Sequence, residues 1–189
     1  MEKQYCQGTH RSCSPAETLS RIKPFMAAMG ITRVANISGL DHIGIPVVTA
    51  CRPNSRALSV AQGKGLDLES AKASAVMEAM ESYHAEYIEL PLKHASYNEM
   101  GVKHALIDVT RLQQLSISAY HHDLAMLWVE GFRLEESELD SGIQSQYVSS
   151  ASGLSRWVPY DVVHTNYTLP LPSGSGSFMM STNGLASGN

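Results

Sequence analysis

Ala71-Lys72-Ala73-Ser74-Ala75-Val76-Met77-Glu78-Ala79-Met80-Glu81 is the stretch around which the rest of the chain can be read. Alanine, methionine, lysine and glutamate are strong helix formers, and neither glycine nor proline interrupts them. With Asp67 as N-cap, the pattern predicts a long helix from about Leu68 to Ile88. At about 100° per residue, Ser74, Glu78 and Glu81 fall within about 60° of one another. They form a narrow stripe of one hydroxyl and two carboxylates. Val76, Met80, Tyr83 and Tyr87 make an apolar face on the other side. Two like charges three residues apart cost an isolated helix a few tenths of a kcal/mol, about 0.2–0.5. A hard cation between them would turn that cost into binding energy. The same stripe is also what an ordinary solvated helix face looks like.

Upstream, Gly63-Lys64-Gly65 reads as a break between a sheet and this helix. It is either a plain strand-to-helix turn or a cradle for phosphate, built from backbone N–H groups and the helix dipole. The chain has no G-x-x-x-x-G-K-[ST], so a P-loop is excluded. Ile31 to Ile37 and His42 to Cys51, rich in Ile and Val, read as strands, and Ala57 to Gln62 reads as a short third strand. Gly39-Leu40-Asp41 and Arg52-Pro53-Asn54-Ser55 are the turns between them, and tight turns imply an antiparallel meander. Pro46 places the second strand at an edge or marks its start. Ser14-Pro15-Ala16-Glu17 opens an earlier helix, with Leu19, Ile22, Met26 and Met29 at helical spacing. Pro24 would kink or end it, and Gly30 would stop it.

Downstream, the stretch from Leu90 to Gln114 is expected to be a loop followed by a short helix near Val109 to Leu115. Ala125 to Leu134 and Ser155 to Val163 read as a hairpin-like pair of strands, with an acidic loop from Glu135 to Asp140 between them. Residues 172–177 have the composition of a flexible segment. Phe178 to Ser181 is a further strand candidate, its Phe178-Met179-Met180 reading as core, and Thr182 to Asn189 is turn-like. The fold class is therefore α+β, antiparallel strands packed with one long helix. A sub-boundary is expected near 90–100.

The bulk numbers narrow the function. The chain of 189 residues suits one domain or one and a half. Its 43% apolar and 17% charged residues are ordinary for a soluble globular chain. Net charge is −4 with no basic stripe, which argues against nucleic acid as a partner. A membrane-spanning helix needs an apolar run of about 18 residues or more, and the sequence has none, so no such span is expected. The N-terminal residues lack a signal-peptide pattern, and Cys6, Cys13 and Cys51 read as reduced thiols, which places the chain in the cytoplasm. Cys51 in an apolar strand reads as a small core residue. His121-His122 is a bare pair on the surface, and neither H-E-x-x-H nor G-x-S-x-G occurs, which leaves a hydrolase without support. Arg11, Arg33, Arg52 and Arg56 are either surface charge or phosphate clamps.

Ser74-x-x-x-Glu78-x-x-Glu81 in an Ala-rich helix after Gly63-Lys64-Gly65 resembles the YcaO domain. Gly30 to Ile37, Gly39 to Val48 and Arg52-Pro53-Asn54-Ser55 are similar to the same family. Glu81-Ser82-Tyr83-His84-Ala85-Glu86 is most similar to its TfuA-associated branch. The resemblance spans residues 1–189 and is most specific over 8 to 90 and 172 to 189. It implies ATP and Mg²⁺ as cofactors, Glu78 and Glu81 on the metal, and Ser74, Lys64, Arg11 and Asn189 on the nucleotide. It implies activation of a peptide backbone amide by phosphorylation, leading to an azoline or a thioamide. Such chemistry needs charge neutralisation more than covalent help from the protein. The implied partners are a peptide or protein substrate and a TfuA-like protein.

Two departures from the family pattern stand out. Ser82 replaces an arginine that many members carry after the second glutamate. Thr182 to Asn189 also resembles the lead-in to a second acidic helix, so the chain is expected to be the N-terminal part of a longer domain, carrying half a metal site and inactive alone. Exposed core surface would then favour a homodimer. The competing reading is a non-catalytic peptide- or protein-binding module that works through an exposed sheet edge.

Overall fold

In the computed structural model, residues 4–6, 9–116, 118–132, 155–168 and 176–178 are described. They fall into two compact units. The first holds the described residues up to Tyr87 together with Thr165–Thr168. The second holds those of Ile88–His164 with 176–178.

The first unit opens with a small antiparallel hairpin, β1 (Gln4–Cys6) and β2 (Thr9–Arg11). Helix α1 (Pro15–Ile22) starts as its sequence dictates, with the Ser14 hydroxyl accepting from the Glu17 N–H. It gives way to a 3-10 turn at Lys23–Phe25, where Pro24 removes a donor. Gly30 ends this region with a positive φ of 70°, a conformation that costs glycine little. Then β3 (Arg33–Asn36), β4 (Val47–Cys51) and β5 (Val60–Lys64) form an antiparallel sheet in the order β3-β4-β5, the expected meander.

Two strand boundaries differ from the sequence reading. The second strand starts at Val47, not His42. Pro46 has no N–H for the ladder. Gly44 turns with a positive φ of 81°, and the Asp41 carboxylate accepts from the Ile43 N–H. The third strand is shifted onward along the chain. It pairs Gly63 with Val48 and Lys64 with Val47, so Gly63-Lys64 belongs to the sheet and does not break it.

Helix α2 (Leu68–Glu86) covers one face of that sheet, capped by Asp67, whose carboxylate accepts from the Ser70 N–H at 2.7 Å. Ala71, Ala75, Val76 and Ala79 are buried against Val48, Ala50, Ala61, Ile22, Met29 and Ile31. The helix lies unusually close to β5. A Cβ built on Gly63 would sit 2.1 Å from the Ala75 nitrogen and 2.2 Å from the Ala71 oxygen. Tyr87, expected on the core face, is exposed just past the helix end; it stacks on Tyr83 at 4.7 Å. Cys51, expected in the core, is half-buried and faces away from α2, because β4 alternates and turns Val48 and Ala50 inward.

The second unit carries the sheet β6-β7-β8, made of β6 (Leu92–Ala95), β7 (Met126–Phe132) and β8 (Ser155–Pro159), all antiparallel. Strand β6 and helix α3 (Tyr97–Gly101) replace the expected loop. Strand β6 inverts the usual pattern: Leu92 and His94 are exposed, while Lys93 turns inward over Trp157 at 4.4 Å and meets His104 at 2.6 Å. Helix α3 had a legible start, since Ser96 and Glu99 form a reciprocal capping box. The helix expected over Val109 to Leu115 is only a 3-10 turn at Val109–Arg111. Pro159 ends β8, and a 3-10 turn at Tyr160–Val162 follows. Phe178 is buried with Met100, Val109, Met126, Trp128 and Trp157, and makes a single bridge to Gln114. The expected loop 135–140 and most of the segment 172–177 lie outside the described residues, as do Met179, Met180 and Thr182 to Asn189.

Candidate functional site

The stripe on α2 lies where the helical periodicity put it. Ser74 and Glu81 are half-buried and Glu78 is exposed, all off the alanine face that meets the sheet. Among the described residues neither carboxylate meets a cation; the ion pair formed within this helix is Lys72 with Glu69, at 2.8 Å, nearer its start. Nor do His, Cys, Asp and Glu side chains form a group of three or more able to hold a metal among the described residues. Among the described residues, Glu78 and Glu81 therefore have no third carboxylate, imidazole or thiolate beside them.

Arg11 approaches the start of α2. The Ser70 backbone N–H and hydroxyl hold the Asp67 carboxyl below its usual range, and the Arg11 guanidinium adds to that shift. The Arg11 Nε is buried with no hydrogen-bond partner among the described residues. A buried donor left unpaired is costly, and an anion would satisfy it. Lys64 is placed differently. Along β5, Ala61 and Gly63 face α2, so Lys64 leaves the sheet on its other, exposed face. The third strand thus runs through the expected phosphate cradle, and Gly63 is there for close helix packing. Asn189 lies outside the described residues.

A residue pair the sequence reading did not find is the most elaborate polar feature of this unit. Arg52 and Glu86 are both buried, with Arg52 Nη1 and Nη2 donating to the two Glu86 carboxylate oxygens at 3.0 and 2.8 Å. Arg52 Nε donates to the Met29 carbonyl at 2.9 Å. Glu86 also accepts from the Ser55 hydroxyl at 2.9 Å and the Arg56 N–H at 3.1 Å. Burial pushes the Glu86 carboxyl up, but Arg52, the Arg56 N–H and the Ser55 hydroxyl outweigh it and hold it below the usual carboxylate value. The sequence signal existed. Glu86 falls at about 120° from Ser74 on the helix, between Ala75 and Ala79, where an unpaired charge is not tolerated. The pair closes α2 onto the turn after β4, and the Asn166 amide and Thr165 N–H bond the Glu86 and Ala85 carbonyls beside it. Arg56 stacks over Tyr87 at 4.2 Å, while Arg33 is simply exposed. His121 and His122 are both exposed, as expected.

The profile of the YcaO family, described as YcaO cyclodehydratase, ATP- and Mg²⁺-binding, matches residues 62–189. An uncharacterised protein of Mycobacterium tuberculosis is 36% identical over 182 residues, which is 96% of this chain and 38% of that protein. An uncharacterised protein encoded in the region 3′ of tfuA in Rhizobium leguminosarum bv. trifolii is 35% identical over 180 residues, 95% of this chain and 38% of the relative. The chain thus spans about two fifths of the length of these relatives. Two solved structures share the fold. One is a heterocyclase in complex with substrate and cofactor, at TM-score 0.66 and 19% identity over all of this chain and 27% of the other. The second is YcaO from Methanopyrus kandleri bound with AMPPCP and Mg²⁺, at TM-score 0.56 and 21% identity, covering 90% of this chain and 38% of that one. No helix among the described residues is long and apolar enough to cross a membrane.

Proposed function

The chain belongs to the YcaO family, and we propose that it supplies the first part of an ATP- and Mg²⁺-binding site for activating a peptide backbone amide. The observation that carries this reading is the pair Glu78 and Glu81. They are adjacent carboxylates without a cation among the described residues, inside the segment that the family profile matches. Mg²⁺ favours one or two carboxylates plus water and phosphate oxygens, which is what such a pair can offer. Ser74, one turn earlier, would lie beside the nucleotide. The buried, unpartnered Arg11 Nε would meet a phosphate oxygen. When bound, Mg-ATP would supply the phosphoryl group that makes an amide oxygen a leaving group; the residues of this chain orient the metal and neutralise charge. Lys64, on the opposite sheet face, has no part in this proposal.

Because the described residues offer no third carboxylate, imidazole or thiolate beside the pair, we read it as part of a site, and the isolated chain as inactive. The product class of the longer protein, azoline or thioamide, and a TfuA-like partner follow from the same reading; the relative from the tfuA region supports the partner. Titration calorimetry with Mg-ATP tests the half-site: these residues should bind in the millimolar range, and micromolar binding would refute it. Mn²⁺ tests the pair. At submillimolar Mn²⁺, the amides of residues 74–82 should broaden in NMR spectra, and the E78Q/E81Q chain should show no such effect.

A second reading, a peptide- or protein-binding module, draws on Leu40, Ile43, Ile45 and Leu66, which are all exposed. Pro46 and Gly65, joined by a backbone hydrogen bond, bring Ile45 and Leu66 to one end of the sheet. The Mn²⁺ titration separates the readings: broadening confined to residues 74–82 supports the metal site, and a chain that shows none leaves the module.

A further inference from the structure

Helix α2 meets its sheet through a surface with little relief. Its contact face is mostly Ala71, Ala75 and Ala79, with Val76 at its margin, and across from it lie Gly63, Ala61, Ala50 and Val48. Small side chains allow close approach, but they do not interlock, so they set the distance between helix and sheet better than the rotation of the helix about its own axis. Rotation matters for the acidic stripe. Carboxylates ride about 5–6 Å from a helix axis, so a turn of about 20° moves them about 2 Å. Mg²⁺ accepts oxygen ligands only near about 2.0–2.1 Å, so a shift of that size is about the whole length of the bond.

We propose that Arg52 is the positioning residue that fixes this rotation, acting through Glu86. The guanidinium binds three acceptors at once, the two Glu86 oxygens and the Met29 carbonyl, and so refers the helix to a point on the α1–β3 connection. The Ser55 hydroxyl and Arg56 N–H hold the same carboxylate from the turn after β4. All these partners are local and directional, and the fork of arginine accepts only one planar arrangement. Glu86 lies about 7.5 Å along the axis beyond Glu81 and about 12 Å beyond Glu78, at about 1.5 Å per residue. On so short and continuous a helix, locking one end locks the stripe. Buried ion pairs are poor sources of net stability, and their best-attested use is to specify register. The inference rests on reading Glu78 and Glu81 as metal ligands.

The test compares Mn²⁺ affinity at matched stability, using amide broadening at residues 74–82. The R52M/E86L chain replaces the pair by apolar groups and keeps the core filled. It should retain the helix content and unfolding midpoint of the parent yet bind Mn²⁺ on the order of tenfold more weakly, as loss of an outer-shell support does. R52K keeps the charge without the fork and should also weaken binding; it carries the test if the double variant does not fold. A folded R52M/E86L or R52K chain with the parent's Mn²⁺ affinity overturns the positioning role and leaves the metal reading intact. A parent chain that shows no broadening at all, or an E78Q/E81Q chain that broadens like the parent, overturns the metal reading and this inference with it.

Discussion

Replacing Gly63 by alanine should do more damage than any other single added methyl in the first unit. The Cβ would stand 2.1 Å from the Ala75 nitrogen, 2.2 Å from the Ala71 oxygen and 2.8 Å from the Ala75 Cα. All three are backbone atoms of α2, so no side chain can swing away. Ordinary contact lies near about 3.5 Å, which means that α2 and β5 must separate by more than about 1 Å. A gap of that size forfeits about a quarter to a half of the dispersion attraction along the contact. Here that contact is the buried face of Ala71, Ala75, Val76 and Ala79 against Val48, Ala50 and Ala61. Overpacking usually costs about 1–3 kcal/mol, and a clash of backbone with backbone belongs at the top of that range or above. Urea unfolding followed by far-UV ellipticity is the assay. It reports this unit, because α1 and α2 lie here while Trp128 and Trp157 lie in the other. A75G should not rescue the variant, since the clash is with the nitrogen and Cα of residue 75 and not with its methyl. A G63A chain within about 0.5 kcal/mol of the parent, or a clear rescue by A75G, would mean that the two backbones do not clash at this position.

Other expectations follow from charge and burial. R52M alone leaves Glu86 buried without its partner and should cost about 3–5 kcal/mol at neutral pH. The folded Glu86 carboxyl lies below its unfolded value. Its contribution is therefore present above about pH 4.3 and lost as pH falls through the folded pKa. The gap between parent and R52M should narrow on acidification, and a gap that is flat with pH in urea titrations would contradict this. In metal-free buffer E78Q removes one of two like charges on adjacent turns and should leave stability unchanged or raise it by about 0.2–0.5 kcal/mol, while removing Mn²⁺ broadening. Asp161, in the second unit, is pushed above its usual value by burial although it accepts from the Gly176 and Ser177 N–H groups at 2.6 and 3.1 Å. Its favourable contribution is complete below about pH 3.9 and is lost as pH rises through the folded pKa. D161N keeps an accepting oxygen, so it should gain on the parent between about pH 4 and 7; tryptophan fluorescence in urea would show this, and a loss that grows with pH would count against it.

What a single stretch of chain could say about itself was legible. The cap at Ser14, the cap at Asp67, the run of helix formers in α2 and the turn residues around β3 and β4 act over three or four residues, and each yielded an element near its expected place. The stripe of Ser74, Glu78 and Glu81 was legible for the same reason, because helical periodicity puts residues on a face without help from the rest of the fold. Its resemblance to the YcaO family was legible too, and the matching profile bears it out. Other features depended on what lies across the gap. Gly63-Lys64-Gly65 looked like a loop because glycines usually end strands, and only the approach of α2 shows why a glycine must stand inside β5. Lys93 points inward because Trp157 and His104 receive it, which no alternation rule within β6 reveals. Arg52 and Glu86 are separated by 34 residues, and although Glu86 falls among the buried alanines of its helix, nothing near it in the sequence names Arg52 as its partner. Helix formation and capping are local free energies written in neighbouring residues. The pairing of buried charges and the clearance between two backbones are properties of distance in space, and only the folded chain decides them.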